Sequence, residues 1–253
     1  MKKIAIALVA GLIAVCSNYN AQAGVVTIDG SETWSGYMNV FDLTGSGGKG
    51  GYQFGSGWGL GAVKSTVTRN TITLEPNYNC FNANDGYWSN YRAAIPAGKD
   101  PVTEEPTPAV PAVTGTIGNK WMEGSSFVVK GAGVLSGNLT FTGNVDFYSL
   151  ASGYSVYAFI KGLNPNKGYA ADIFQQAAIG SGATSFSVSA DLTGASGLIM
   201  QYGFTVSGRN ANPAETGLGS AVISAAAIPE PSSAALVGFG LAGLVACRMR
   251  RKS

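Results

Sequence analysis

"SFSVSADL", residues Ser185 to Leu192, alternates without a break: Phe186, Val188, Ala190 and Leu192 fall on one side of an extended chain, Ser185, Ser187, Ser189 and Asp191 on the other. Successive side chains of a strand point to opposite faces, so this is the pattern of a strand buried on one face and wet on the other, the habit of antiparallel sheets. Met200, Tyr202, Phe204 and Val206 repeat it a few residues on. Ser155 to Ile160 ("SVYAFI") is apolar on both sides and reads as a central strand. Strands at this spacing, with Gly-rich breaks between them, point to a sandwich or barrel.

Outward from there, "NLTFTGNVDFYSL" (residues 138–150) poses a choice, because Gly143-Asn144 has the chemistry of a two-residue hairpin turn. A hairpin would set Phe141 opposite Asp146 and mix the faces. One long strand instead keeps Leu139, Phe141, Val145 and Phe147 on one face, with Gly143 as a bulge or a point of close approach, and is preferred. The composition agrees: 36 of the 253 residues are Gly and only 12% are charged, a mixture that favours tight turns and short strands over helices. The expectation is an all-β fold, a single antiparallel β-sandwich of roughly ten strands over residues 24–226, jelly-roll-like, with little helix inside it.

Residues 95–117 hold five of the ten prolines and no aromatic residue. Proline cannot donate to a ladder, so this is an extended linker or loop; the flanking pieces look too unequal for two sandwiches, and a long surface loop within one is expected. "GSGGKGG" (residues 45–51) and "FGSGWGLG" (residues 54–61) also read as loops. Neither carries phosphate chemistry: the last glycine spacing of a dinucleotide fingerprint fails in the second, and Gly50 follows Lys49 in the first where a phosphate loop needs Ser or Thr. No cofactor is implied.

The formal charge of +2 comes from the two ends. Between Gly24 and Ile228 stand ten basic and thirteen acidic residues, a balance that offers no general attraction for a phosphate backbone, so nucleic acid is set aside. The chain has no histidine, which removes imidazole bases, Ser-His-Asp and Cys-His activation, and His-ligated zinc. Cys16 and Cys247 lie in the end segments, leaving Cys80 without an internal disulfide partner; it reads as a small buried hydrophobe or as a reactive or intermolecular thiol.

The first residues, "MKKIAIALVAGLIAVCSNYNAQAG", have Lys2 and Lys3, an apolar run from Ile4 to Val15, and the small-x-small pair Ala21 and Ala23 before Gly24. That is a secretory signal peptide over residues 1–23, cut by signal peptidase before Gly24. The last residues, 227–253, hold Pro229-Glu230-Pro231, an apolar run from Ala234 to Cys247 as the body of a membrane helix over 233–247, and the basic end Arg248, Arg250, Arg251 and Lys252. Fourteen residues make roughly 21 Å of helix, short for a hydrocarbon core of about 30 Å. Cations held on the cytoplasmic side orient the main body outside.

This three-part order resembles the PEP-CTERM sorting tail of exported bacterial proteins, with Pro229, Glu230 and Pro231 in the place of its signature. The resemblance implies recognition by an exosortase, a membrane transpeptidase that cuts near the motif, a transient anchor in the inner membrane, and delivery to the cell surface or an extracellular polysaccharide matrix. More loosely, "WSGYMNVFD", "YQFGSGWGLG" and "GYSVYAFIKGLNP" are similar to segments of a β-sandwich domain carried by many proteins with this tail, one compared with jelly-roll, galactose-binding-like and carbohydrate-binding modules.

"NYNCFNANDGYWSNYR" (residues 77–92) sets Tyr and Trp among Asn residues, the composition of a loop that stacks rings on a sugar while amides bond its hydroxyls; the same aromatics also suit core packing. Trp58, Trp88 and Tyr91 are the candidate glycan contacts. Glu123, Asp146, Asp172 and Asp191 are candidates for the carboxylate pair of a hydrolase, and Asp29, Asp42 and Asp85 for a calcium ion, though no ligand spacing supports one. The expected function is therefore that of a non-enzymatic, polysaccharide-associated binding or structural component, the alternative being a carboxylate-dependent polysaccharide hydrolase or lyase.

Overall fold

Alternation turns into strands wherever the sequence showed it, and in several places where it did not. The computed structural model describes residues 24–131 and 137–227; the leader with Ala21 and Ala23, and the tail with Pro229, Glu230, Pro231, the 233–247 segment and Arg248, Arg250, Arg251 and Lys252, lie outside the described residues. In order come β1 (Gly24–Val26), β2 (Trp34–Leu43), β3 (Lys49–Trp58), β4 (Ser65–Thr68), β5 (Thr71–Leu74), β6 (Gly98–Lys99), β7 (Pro106–Thr107), β8 (Lys120–Lys130), β9 (Asn138–Tyr148), β10 (Ser155–Asn164), β11 (Ala170–Ile179), β12 (Ser185–Asp191), β13 (Ile199–Arg209) and β14 (Ala221–Ala225). The only helix among the described residues is a 3-10 turn at Pro165–Lys167, and none is long and apolar enough to cross a membrane.

Twelve of the strands form two sheets of six that pack face to face. The first runs β9-β14-β5-β4, with β12 on the free flank of β9 and β1 beside β9 where β14 ends. The second runs β11-β10-β13-β8-β2-β3, antiparallel throughout. The fold is the expected all-β sandwich, with β1 as an exception in pairing parallel to β9.

The inward residues of the two alternating segments meet at the centre. Phe141 of β9 lies 5.0 Å from Phe186, 5.1 Å from Phe204 and 5.2 Å from Tyr202, ring centre to ring centre, and Phe186 and Phe204 are 5.3 Å apart. These separations are those of tilted and edge-to-face pairs, which stabilise beyond the area they bury. Gly143 lies flush against this cluster: a β-carbon there would stand 2.6 Å from Phe186 Cε1 and 2.8 Å from the Ser224 carbonyl. Gly143→Ala is expected to lower stability by about 1–3 kcal/mol through overpacking. Gly57→Ala, on β3 with open space around it, is expected to change it by less than about 1 kcal/mol, and equal urea midpoints for the two variants would refute the account.

Three expectations need correction. Phe147 does not share the inner face with Phe141. Val222 pairs with Phe147 and Ile223 with Val145, so Asp146 is an extra residue in β9; the bulge inverts the alternation, leaving Phe147 54% exposed and seating Tyr148 against the core. Residues 49–51 and 54–58, read as parts of two loops, belong to β3. The glycines there serve close packing on β2, since a β-carbon on Gly55 would strike Tyr37 Oη and Asn39 Oδ1 at 2.6 Å. The Pro-rich stretch is exposed as expected but folds back on itself: Arg92 pairs with Val113 and Ile95 with Val110, and β6 pairs with β7. Pro96, Pro108 and Pro111 fall outside those paired positions, where no N–H is needed.

Beyond the reach of the first sheet, Met38, Val40 and Met122 would lie bare on the inner face of the second. The connection through residues 59–64 and the Asn-rich segment cover them, and Val63, Phe54, Trp58, Cys80 and Trp88 complete this second, smaller core.

Candidate functional site

The outward face of the second sheet is a trough, and its shape follows from strand register. Across one row stand Tyr157, Thr205, Ser125 and Tyr37, and across the next Gln176, Phe159, Gly203 and Phe127. Thr205, Ser125 and Gly203 are small, and Tyr157, Tyr37, Phe159 and Phe127 beside them are large, so the face is hollow along its centre. Gly203 lets the rings on either side lean inward: Phe127 and Phe159 approach to 6.5 Å between ring centres and are only 8% and 1% exposed, although both point away from the sandwich core. Two hollows of about 300 and 540 Å³ result, sharing Asn39, Ser125 and Lys161 and so continuous with one another.

Polar groups are fixed along this floor. Trp121 Nε1 donates to Ser207 Oγ at 3.0 Å, and the hydroxyls of Ser125 and Thr205 meet at 2.8 Å. Lys49 Nζ donates to Glu123 Oε1 at 2.7 Å and sits 3.9 Å above the Phe41 ring. Lys161 Nζ lies 4.2 Å from the centre of the Phe159 ring and 5.2 Å from that of Phe174. Burial pulls the Lys161 ammonium below its ordinary pKa, with the Glu123 carboxylate pulling weakly the other way. Asn39, Gln176 and Gln201 add amides to the walls. Rings that stack, amides that bond hydroxyls and a fixed cation form a surface able to hold a sugar chain along a strip.

The residues singled out from sequence lie elsewhere. Trp58 and Trp88 come together at a shallow hollow of about 550 Å³ beside Asn79, Phe81 and Asp85, but both are half-buried over the smaller core, where Trp88 packs edge-on against Phe54 and Tyr87. Tyr91 is half-buried at the base of the Pro-rich arm, its N–H donating to Ser89 Oγ. The surrounding amides hold the chain's own backbone: Asn77 and Asn79 donate to the Ala62 carbonyl, and Asn90 Oδ1 accepts from the N–H groups of Thr116 and Ile117. Gly24 is the first residue of β1, paired with Leu139.

The candidate carboxylates are dispersed. Among the described residues Glu123 is the one carboxylate lining the two joined hollows; Asp146 accepts from Ser224 Oγ, Asp172 from Asn164 and Lys167, and Asp191 from Thr193. Hydrogen bonds from those neighbours hold Asp172 and Asp191 below the usual carboxylate range. Asp29, Asp42 and Asp85 are bonded respectively to Ser31, to Gln53 and Lys120, and to the Tyr87 N–H. Among the described residues no three His, Cys, Asp or Glu side chains form a group able to hold a metal ion.

Cys80 is half-buried against the smaller core, and burial pushes its thiol up from 9.0 to about 12. The thiolate is the reactive form, so at pH 8 the peptide containing Cys80 is expected to stay unlabelled by iodoacetamide until urea unfolds the chain, as read by mass spectrometry. Because the unfolded thiol ionises first, this group's contribution to stability falls as pH rises above about 9. Labelling of the folded chain at the unfolded rate would contradict this.

Sequence reasoning missed the trough because its residues come from six strands. The available signal was the second face of Ser155 to Ile160: Tyr157 and Phe159 made that strand look doubly buried, when their side is the wall of a groove.

No curated protein and no solved structure matches the chain. Residues 227–252, beyond the sandwich, match the PEP-CTERM protein-sorting motif. By that tail, this is an exported protein that an exosortase sorts at its C-terminal end.

Proposed function

We propose that this exported protein is a non-enzymatic, polysaccharide-associated component of the cell surface or extracellular matrix, and that it binds glycan in the trough on the outer face of its second sheet. One observation carries the reading: a continuous hollow floored by Ser125, Thr205 and Ser207 and walled by Trp121, Tyr157 and Phe174, with amides and a cation at fixed positions. Aromatic faces bury the apolar side of a sugar, and preformed polar groups meet its hydroxyls without ordering new side chains. In the same reading signal peptidase removes residues 1–23, leaving β1 whole from Gly24.

Affinity electrophoresis of the full chain through gels containing different polysaccharides tests it. Retardation by at least one glycan is expected, reduced at least tenfold in apparent affinity by Trp121→Ala with Tyr157→Ala and unchanged by Trp88→Ala. Loss with Trp88→Ala alone would move the site to the smaller hollow beside Trp58; no retardation on any gel would end the binding proposal.

A further inference from the structure

The charges of the trough do not cancel. Lys49 and Glu123 are paired at 2.7 Å, which leaves Lys161 as the trough's second cation without a carboxylate of its own. Among the described residues Lys161 Nζ has neither an ion-pair partner nor a hydrogen-bond acceptor, although five other lysines of the sandwich and its arm are paired with carboxylates. Instead it is held between two aromatic faces, at the point where the two hollows join. Such rings attract a cation through their electron-rich faces while stripping away part of its water. An ammonium so placed gains most from an anion that arrives with its own hydrogen-bond acceptors.

We infer that the trough selects polysaccharides carrying an anionic sugar unit, and that Lys161 is the cation that engages the negative substituent while the neighbouring rings hold the sugar face. The inference rests on the glycan-binding reading above and names its ligand class. The chemistry is that of one fixed point charge: a uronate carboxylate and a sulfate ester both supply it, whereas a neutral glucan does not. Among the described residues no arginine, whose planar fork suits bidentate recognition, lines the hollows. A merely structural Lys161, whose stem only covers Phe159, predicts no such preference.

The test compares oligogalacturonate with its methyl ester, which keeps the sugar's shape and removes the charge, by calorimetric titration of the full chain in detergent. The wild type is expected to bind the acid at least ten times more tightly than the ester, with affinity falling as salt is raised. Lys161→Met, which keeps an apolar stem, is expected to bind acid and ester equally and to melt within a few degrees of the wild type; Lys161→Arg is expected to retain the preference. A sulfated galactan run beside a neutral one distinguishes sulfate from carboxylate as the favoured anion. Equal binding of acid and ester by the wild type needs no variant and overturns the inference while leaving glycan binding intact, as does a preference that survives Lys161→Met. No binding of any of these four sugars overturns the inference too; whether the wider reading falls with it is decided by the polysaccharide gels.

Discussion

Phe141→Ala lowers the unfolding free energy by about 3–5 kcal/mol, and Phe141→Leu by less than about 1.5 kcal/mol, as read from urea midpoints followed by tryptophan fluorescence. The large effect follows from position. Phe141 is fully buried and is the one ring of the cluster in contact with Phe186 of its own sheet and with both Tyr202 and Phe204 of the other. Its loss opens a cavity that neither sheet can close, because each is held at its spacing by other inward residues. Since a domain of this kind is stable by only about 5–15 kcal/mol, the variant stands near the edge of folding. A shift of less than about 1 kcal/mol would mean that the two sheets are held together elsewhere.

Asn210→Ala is the second large effect, and it is local before it is global. Asn210 is completely buried. Its Oδ1 accepts from the Lys120 N–H at 2.9 Å and its Nδ2 donates to the Trp88 carbonyl at 2.8 Å. The side chain therefore ties the Asn-rich segment to the start of β8. Alanine leaves one buried donor and one buried acceptor without partners, at about 1–3 kcal/mol each, for a total loss of about 3 kcal/mol. Hydrogen exchange in residues 77–92 is expected to rise in the variant while the strands β9, β12 and β13 keep their protection. Unchanged exchange in that segment would show that Asn77, through the Ala62 carbonyl and the Ala211 N–H, holds it unaided.

These two residues also mark what could be read from sequence. Phe141, Phe186 and Phe204 were legible as core because the period of two is local, and each segment declares its inner face without reference to its partners. Phe147 was misplaced for the opposite reason: the bulge at Asp146 exists only because β14 pairs with Val145 and Phe147 as it does, and nothing within residues 138–150 says so. The glycines of β3 looked like loop for the same cause, their function being to admit Tyr37 and Asn39 from the adjacent strand. The trough is the extreme case. Its floor and walls are drawn from all six strands of one sheet, and Gly203, the residue that lets its rings converge, is featureless by itself. The Asn-rich segment had the composition of a binding loop, but composition does not tell whether an amide faces a ligand or a carbonyl of its own chain. The sorting motif was legible throughout because it is linear, read as consecutive residues by another protein.

The placement of β14 bears on what happens when the tail is held. The chain leaves the sandwich directly after this strand, at Ala226, whose N–H donates to Thr27 Oγ1. β14 is no edge: it is laddered to β9 on one flank and to β5 on the other. Tension arriving from an anchored C-terminus therefore meets two rows of backbone bonds at once, and cannot peel the terminal strand away as it would from a sheet margin. Mounted in this way, the body can be tugged from its C-terminal end and keep its shape.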